Sequence, residues 1–283
     1  MEQIISKFVP LSDIGEVQAF GNGHINDTYV ISDRSGERRW ILQRVNHHVF
    51  PRIEVLQRNV GIVSDTLRQR LEADGDPECD RKYLHFFPLL DDPEKNYYHD
   101  GENYWRLCRF IPESMSLSTL SPKAAYHAGE AFGQFEEILS VIPEGVLGET
   151  IENFHSMPFR LEQLREAIEK DPCGRVASVR DIIEEIERRE DSMLIQEKLY
   201  AAGKLPKRTI HCDTTVDNVL FDKSGAVLCV VDWDTVMPGF ILSDVGDFIR
   251  TGVNFAPEDE ADLSKIGVNM EIYKAFVEGY LST

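Results

Sequence analysis

The stretch Thr209-Ile210-His211-Cys212-Asp213-Thr214-Thr215-Val216-Asp217-Asn218-Val219-Leu220-Phe221-Asp222, with Val227-Leu228-Cys229-Val230-Val231-Asp232-Trp233-Asp234 after it, decides how the chain is read. Two apolar, β-rich runs, 218–222 and 226–231, flank the turn-forming triplet Lys223-Ser224-Gly225, which predicts an antiparallel hairpin. The start of one strand then lies beside the end of the other, so Asn218 is expected near Asp232, with Asp213 on the loop just before. A carboxylate, a carboxamide oxygen and a second carboxylate at one loop mouth suit a hard divalent cation and a hydroxyl to be deprotonated. Taken singly, Asp213 and Asp222 are ordinary turn formers and Asp232 an ordinary strand end. Their joint spacing, H-x-D-x-x-x-x-N with an aspartate about fourteen residues further on, is the pattern of a phosphoryl-transfer loop and its metal-binding acid.

The rest of the chain bounds that reading. Its 283 residues allow two domains or one two-lobed unit, and 42% hydrophobic content supports a sizeable core. A formal charge of −19 excludes nucleic acid and anionic membrane surfaces as partners and leaves neutral or cationic small molecules. Cys79, Cys108, Cys173, Cys212 and Cys229 form no CxxC pair, and they read as reduced thiols of a cytoplasmic protein, not as disulfides or zinc ligands. No leader peptide and no apolar run of the roughly 18 residues a membrane span needs is predicted.

Taken in order, residues 17–46 open a β-rich lobe. Phe20-Gly21-Asn22-Gly23-His24-Ile25-Asn26 places small residues between two strands, where backbone N–H groups can approach phosphate oxygens; glycines are equally common in plain hairpins. In Arg39-Trp40-Ile41-Leu42-Gln43-Arg44-Val45, adjacent residues face opposite sides, so only one of Gln43 and Arg44 can point at a phosphate. Arg44 is the nearest cation, and it can equally be a solvated strand end. A helix is predicted over 51–73, with Glu54 either pairing with Arg44 or merely favoured by the helix dipole. Further strands are expected at 83–88, 96–99 and 104–111, and then Pro112-Glu113-Ser114 breaks the pattern at a hinge. The backbone of Phe110 and Ile111 is the candidate partner for an adenine edge. Helices are predicted at 122–140, opened by Ser121 and Pro122 and carrying small residues that permit close helix approach, and at 159–170 and 179–202.

These features together resemble the aminoglycoside phosphotransferase and choline kinase-like superfamily, and within it the N-acetylhexosamine 1-kinases. The likeness is carried by 20–29, Ile41-Leu42-Gln43-Arg44-Val45-Asn46, 105–111, the Asp213/Asn218 loop, and Asp232-Trp233-Asp234-Thr235-Val236-Met237-Pro238-Gly239 running on to Asp244 and Asp247. It implies an α+β, bilobal, protein-kinase-like fold, with an antiparallel β-rich nucleotide-binding lobe at 1–112 and a mostly helical lobe at 113–283. It also implies ATP and Mg2+ as cofactors and an amino sugar as substrate, phosphorylated on its anomeric hydroxyl. Asp213 would then deprotonate that hydroxyl, Asn218 and Asp232 would hold the metal with Asp234 as a further acid, and Gly21, Asn22, Gly23 and Asn26 would cover the phosphates. Asp244 and Asp247 are expected to brace the loop through backbone hydrogen bonds. The pattern departs from the family at Cys212, where a small residue is usual, at Thr215, where the sugar kinases carry lysine, and at Asp217, which adds negative charge. The resemblance also leads one to expect helices beyond Tyr280. Two alternatives therefore stand beside the sugar kinase: a kinase of a cationic acceptor, and a catalytically silent nucleotide- or sugar-binding relative.

Overall fold

Alternating apolar and polar residues form the antiparallel strands β1 (Ile14–Ala19), β2 (Asp27–Asp33) and β3 (Arg39–Val45), after a short helix α1 (Glu2–Ile5). The computed structural model describes residues 1–21, 25–117, 120–256 and 260–283. After helix α2 (Ile53–Ala73), strands β4 (Tyr98–His99) and β5 (Tyr104–Arg109) complete a sheet of order β1-β2-β3-β5-β4. Residues 83–88, expected as a strand, make only a single bridge, Phe86 to Cys108. That segment and β4 share one edge of β5, and the edge has room for two short pairings rather than two strands.

The sheet has two faces, and strand parity decides which residues they receive. Trp40, Leu42, Trp105 and Leu107 point outward and bury against Ile5 and Phe8 beside α1. Ile41, Gln43, Arg106 and Cys108 point inward, because β3 and β5 pair Ile41 with Cys108 and Gln43 with Arg106. Val60, Val63 and Leu67 of α2 enter the main core, which runs on into the second lobe.

That lobe is mostly helical. α3 (Pro122–Leu139) starts where the Ser121 hydroxyl accepts the Ala124 N–H at 3.2 Å. It is followed by α4 (Met157–Lys170), α5 (Arg180–Met193) and α6 (Ile195–Ala201), so the single helix expected over 179–202 is interrupted at Leu194. Two small ribbons then pair β6 (Arg208–Ile210) with β9 (Met237–Gly239), and β7 (Val219–Phe221) with β8 (Val227–Val230). The second ribbon is the predicted hairpin, with Gly225 in its turn at φ +83°. α7 (Ile241–Gly252) and α8 (Met270–Tyr280) complete the lobe. α8 lies so close to α3 that a Cβ on Gly129 would sit 2.1 Å from the Phe276 carbonyl oxygen, and one on Gly279 would sit 1.9 Å from that of Tyr126.

Candidate active site

The loop bearing Asp213 hangs from buried anchors. β6 delivers His211, whose ring meets the edges of Phe132 and Phe135 at centroid distances of 5.5 and 5.7 Å. Its Nε2 lies 2.9 Å from the Val231 carbonyl, which ties the loop to the end of the hairpin. Asp244 of α7 accepts the His211 and Cys212 N–H groups at 2.6 and 2.8 Å, and Asp247 accepts that of Thr214 at 2.9 Å. The two aspartates thus brace the loop as the sequence pattern leads one to expect. Cys212 is held at φ +66°, a left-handed conformation that costs a non-glycine residue about 1–3 kcal/mol. This backbone requirement accounts for the small residue usual at its position.

Beneath the loop, Asp244 faces Glu136 of α3. Burial, reinforced by the Asp244 charge, pushes the Glu136 carboxyl up to about 9, so it keeps its proton at neutral pH and hydrogen-bonds Asp244. The Tyr280 hydroxyl donates to Glu136 Oε2 at 2.5 Å, which joins α8 to α3 under the loop that carries Asp213.

Asn218 ends a 3-10 turn (Val216–Asn218), and its amide donates to the Asp213 carbonyl at 2.9 Å and to Asp213 Oδ2 at 3.0 Å. The Val231 N–H donates to the Asn218 carbonyl at 2.9 Å, so the hairpin sets Asn218 beside Asp232. Asp232 sits at φ +62° and is exposed where it lines the cleft. Enclosure by protein, with the Asp234 charge nearby, raises its carboxyl to about 6. The Asn218 Oδ1 and the Asp232 carboxylate are hard oxygen donors that fit Mg2+ when phosphate oxygens and water supply the remaining ligands. Among the described residues no group of three or more His, Cys, Asp or Glu could hold a metal on its own.

Asp234 is placed differently. Its Oδ2 accepts from Asn26 Nδ2 at 2.7 Å, and its Oδ1 lies 2.5 Å from Arg106 Nη1, with both side chains of that ion pair 3% exposed. Asn26 in turn accepts the Asn46 N–H at 2.9 Å. Asp234 and Asn26 therefore join the two lobes, and only Asn218 and Asp232 of the three metal candidates line the cleft.

The cleft itself is a cavity of about 710 Å³ between the lobes. Ile41 and Cys108 roof its apolar end, Leu220 and Val231 floor it, and Phe20 meets Phe110 edge-on at 6.0 Å at its mouth. Burial pushes the Cys108 thiol up to about 12, so that wall is a neutral surface suited to a flat base. Gly21 lines the cavity at φ +76°, while Asn22 and Gly23 fall outside the described residues. The Phe110 N–H donates to the Arg39 carbonyl at 3.3 Å, and Ile111 follows at the hinge, 4% exposed.

Of the pair left open on β3, Gln43 faces the cavity and Arg44 the opposite face. Arg44 pairs with Asp27 there and also donates to Asn103 Oδ1 at 3.4 Å. Arg106, which no sequence motif marks, donates from Nε to Gln43 Oε1 at 2.9 Å and lines the cavity. Its one signal is an arginine between the core residues Trp105 and Leu107, which strand parity turns toward the other face.

Among solved structures, the chain is similar to an aminoglycoside phosphotransferase from Alicyclobacillus acidocaldarius, at 17% identity and a TM-score of 0.59, covering 89% of this chain and 71% of that one. It is also similar to a spectinomycin phosphotransferase in complex with ADP and spectinomycin, at 17% identity and a TM-score of 0.54, covering 95% of this chain and 75% of that one. A Plasmodium vivax ethanolamine kinase matches at 15% identity and a TM-score of 0.53, covering 96% of this chain and 69% of that one. At these identities the likeness shows the two-lobed α+β fold. The sequence of residues 16–269 matches the phosphotransferase enzyme family, APH. With that match running over most of its length, the chain belongs to the APH phosphotransferase family and is a phosphotransferase.

Proposed function

We propose that the protein is an ATP- and Mg2+-dependent kinase that phosphorylates a hydroxyl group of a small molecule, with the anomeric hydroxyl of an N-acetylhexosamine as the acceptor. The observation that carries the reading is the Asn218 amide. Its nitrogen donates to Asp213 Oδ2 at 3.0 Å, which leaves its oxygen as the cation donor, and Asn218 and Asp232 line the same cavity. A base and a pair of cation ligands are thereby fixed against each other before any substrate arrives.

In this mechanism the apolar end of the cleft takes the adenine, and the triphosphate runs toward Asn218 and Asp232. Asn218 and Asp232 would hold Mg2+, which would supply charge neutralisation for the transferring phosphoryl group. Asp213 orients the acceptor hydroxyl and accepts its proton. The hydroxyl oxygen bonds the γ-phosphorus while the bond to the β,γ-bridging oxygen breaks, and ADP leaves with that oxygen. Most of the acceleration comes from positioning and charge neutralisation, which suits a loop held by Asp244 and Asp247.

A cationic acceptor is the second reading, favoured by the −19 charge. Measuring ADP release with ATP, Mg2+ and a panel of N-acetylhexosamines, aminoglycosides and choline-type amines separates the two. Stimulation by an N-acetylhexosamine supports the sugar, and turnover with amines alone sinks it. Salt provides a second discriminator, since activity on a cationic acceptor falls steeply with ionic strength and activity on a neutral sugar does not. No turnover with any acceptor, alongside ATP-induced thermal stabilisation, would point instead to a silent binding protein.

A further inference from the structure

Protein kinases place the lysine that meets the nucleotide's α- and β-phosphates on the third strand of the sheet. In this chain the inward-facing residue of β3 near the phosphates' path is the neutral Gln43, and the neighbouring cation, Arg44, is on the outer face beside Asp27. We propose that Arg106, on β5, is the residue that anchors the α- and β-phosphates, with Gln43 holding its guanidinium in place. This assignment rests on the kinase reading above.

Four observations support it. Gln43 and Arg106 are directly opposite in the antiparallel pair, so their Cβ atoms are only about 5 Å apart and a long arginine can cover the space of a β3 lysine. Among the described residues lining the interlobe cavity, the only cations are Arg106 and Arg109, and Arg109 stands at the hinge end, paired with Asp80. Arg106 is deeper, close enough to Asp232 for their charges to interact, which is where phosphates sharing a cation with Asp232 would lie. One of its donor groups is also unspent: Nε goes to Gln43 and Nη1 is ion-paired with Asp234 Oδ1 at 2.5 Å, while Nη2 makes no hydrogen bond to the described residues.

Charge arithmetic points the same way. Asp217 and Asp232 line the cleft with Asp234 beside it, and among the described residues lining the cavity Arg106 is the cation paired with Asp234. A polyphosphate entering that field needs a fixed positive group, and a guanidinium presents two parallel N–H donors to phosphate oxygens. The competing role is simpler: Arg106 serves only as the counter-ion of Asp234.

Calorimetric titration with Mg–ADP and with adenosine tells these roles apart, using wild type, Arg106→Lys, Arg106→Met and the charge-balanced double variant Arg106→Met/Asp234→Asn, each checked for cooperative thermal unfolding. A phosphate anchor predicts that Arg106→Met and the double variant both bind Mg–ADP about tenfold or more weaker while adenosine affinity holds, and that Arg106→Lys recovers part of the loss. Should Arg106→Met fail to fold because Asp234 is left buried and unpaired, the double variant still carries the test. Recovery of wild-type Mg–ADP affinity in the double variant overturns the proposal and leaves Arg106 as a counter-ion. Wild-type protein that binds neither Mg–ADP nor adenosine overturns the kinase reading itself, and is distinguishable because the defect precedes any substitution.

Discussion

The two walls of the cleft are held in place by different means. On the helical side, Asp213 and Asn218 ride on backbone whose N–H groups are gripped by Asp244 and Asp247. On the sheet side the polar groups hold one another mainly side chain to side chain, from Asn26, which also accepts the Asn46 N–H, to Asp234, Arg106, Gln43 and Thr28. A residue on the first wall can lose its chemistry without moving its neighbours, whereas a change on the second passes along the chain of contacts.

The largest expected effect tests the independence of the first wall. Asp213→Asn should lower turnover by about 10²–10⁴-fold, the usual worth of a general base, with Mg–ADP affinity unchanged. A parallel loss of Mg–ADP binding in calorimetry would break the contrast. Next comes the ground beneath that wall, where α8 touches α3. Gly279→Ala forces a Cβ against the Tyr126 carbonyl and should cost about 1–3 kcal/mol in urea unfolding, since backbone cannot give way as a flexible side chain would.

The buried proton under the loop gives a pH signature. Glu136 titrates near 9 in the folded chain against an ordinary value of 4.5, so its contribution to stability is fully present below pH 4.5 and is lost as pH rises toward 9. Glu136→Gln can donate to Asp244 and accept from Tyr280 without titrating. Its melting temperature should therefore decline less between pH 6 and pH 9 than that of wild type. An unchanged slope would show that other groups govern the decline.

The second wall is tested by coupling. Asn26→Ala and Gln43→Ala sit at opposite ends of the Asp234–Arg106 pair, and a double-mutant cycle read by Mg–ADP affinity should depart from additivity by about 0.5–3 kcal/mol. Strict additivity would dissolve the idea of a connected network. The smallest effect belongs to Arg44→Ala, on the outer face, where an exposed pair with Asp27 should change stability by no more than about 0.5 kcal/mol and leave the ATP KM alone.

The same division governs how much of the molecule can be read from its sequence. The hairpin is legible because Lys223-Ser224-Gly225 sets its turn and the residues at its base are neighbours in the chain. Asp244 and Asp247 follow ten to fifteen residues behind Asp232 and their bracing role is readable from the resemblance. Arg106 is not, because α2 and β4 separate β3 from β5 and nothing local sets the register that puts it opposite Gln43. Asp234 reads as a metal ligand for its company with Asp232, but its carboxylate is taken up by Asn26 and Arg106, partners far away in the sequence. The interruption at Leu194 carries neither proline nor glycine to mark it. Residues 83–88 have a strand's composition, but a strand also needs an edge, and β4 holds part of the one they meet.

One pairing beyond the hinge bears on how the enzyme can move. Met115 and Phe221 exchange both backbone hydrogen bonds at 2.8 Å, which splices the linker onto the strand that begins beside Asn218. The backbone at Met115 is therefore tied to the helical lobe, which makes the linker from Arg109 to Ser114, with Glu113 at φ +53°, the candidate pivot between the lobes. The Asn26–Asp234 hydrogen bond lies on the far side of that pivot and acts as a clasp. A rotation that parted the two walls would have to release it together with the Arg106–Asp234 pair, so the same contacts that steady Asp234 resist opening of the cleft.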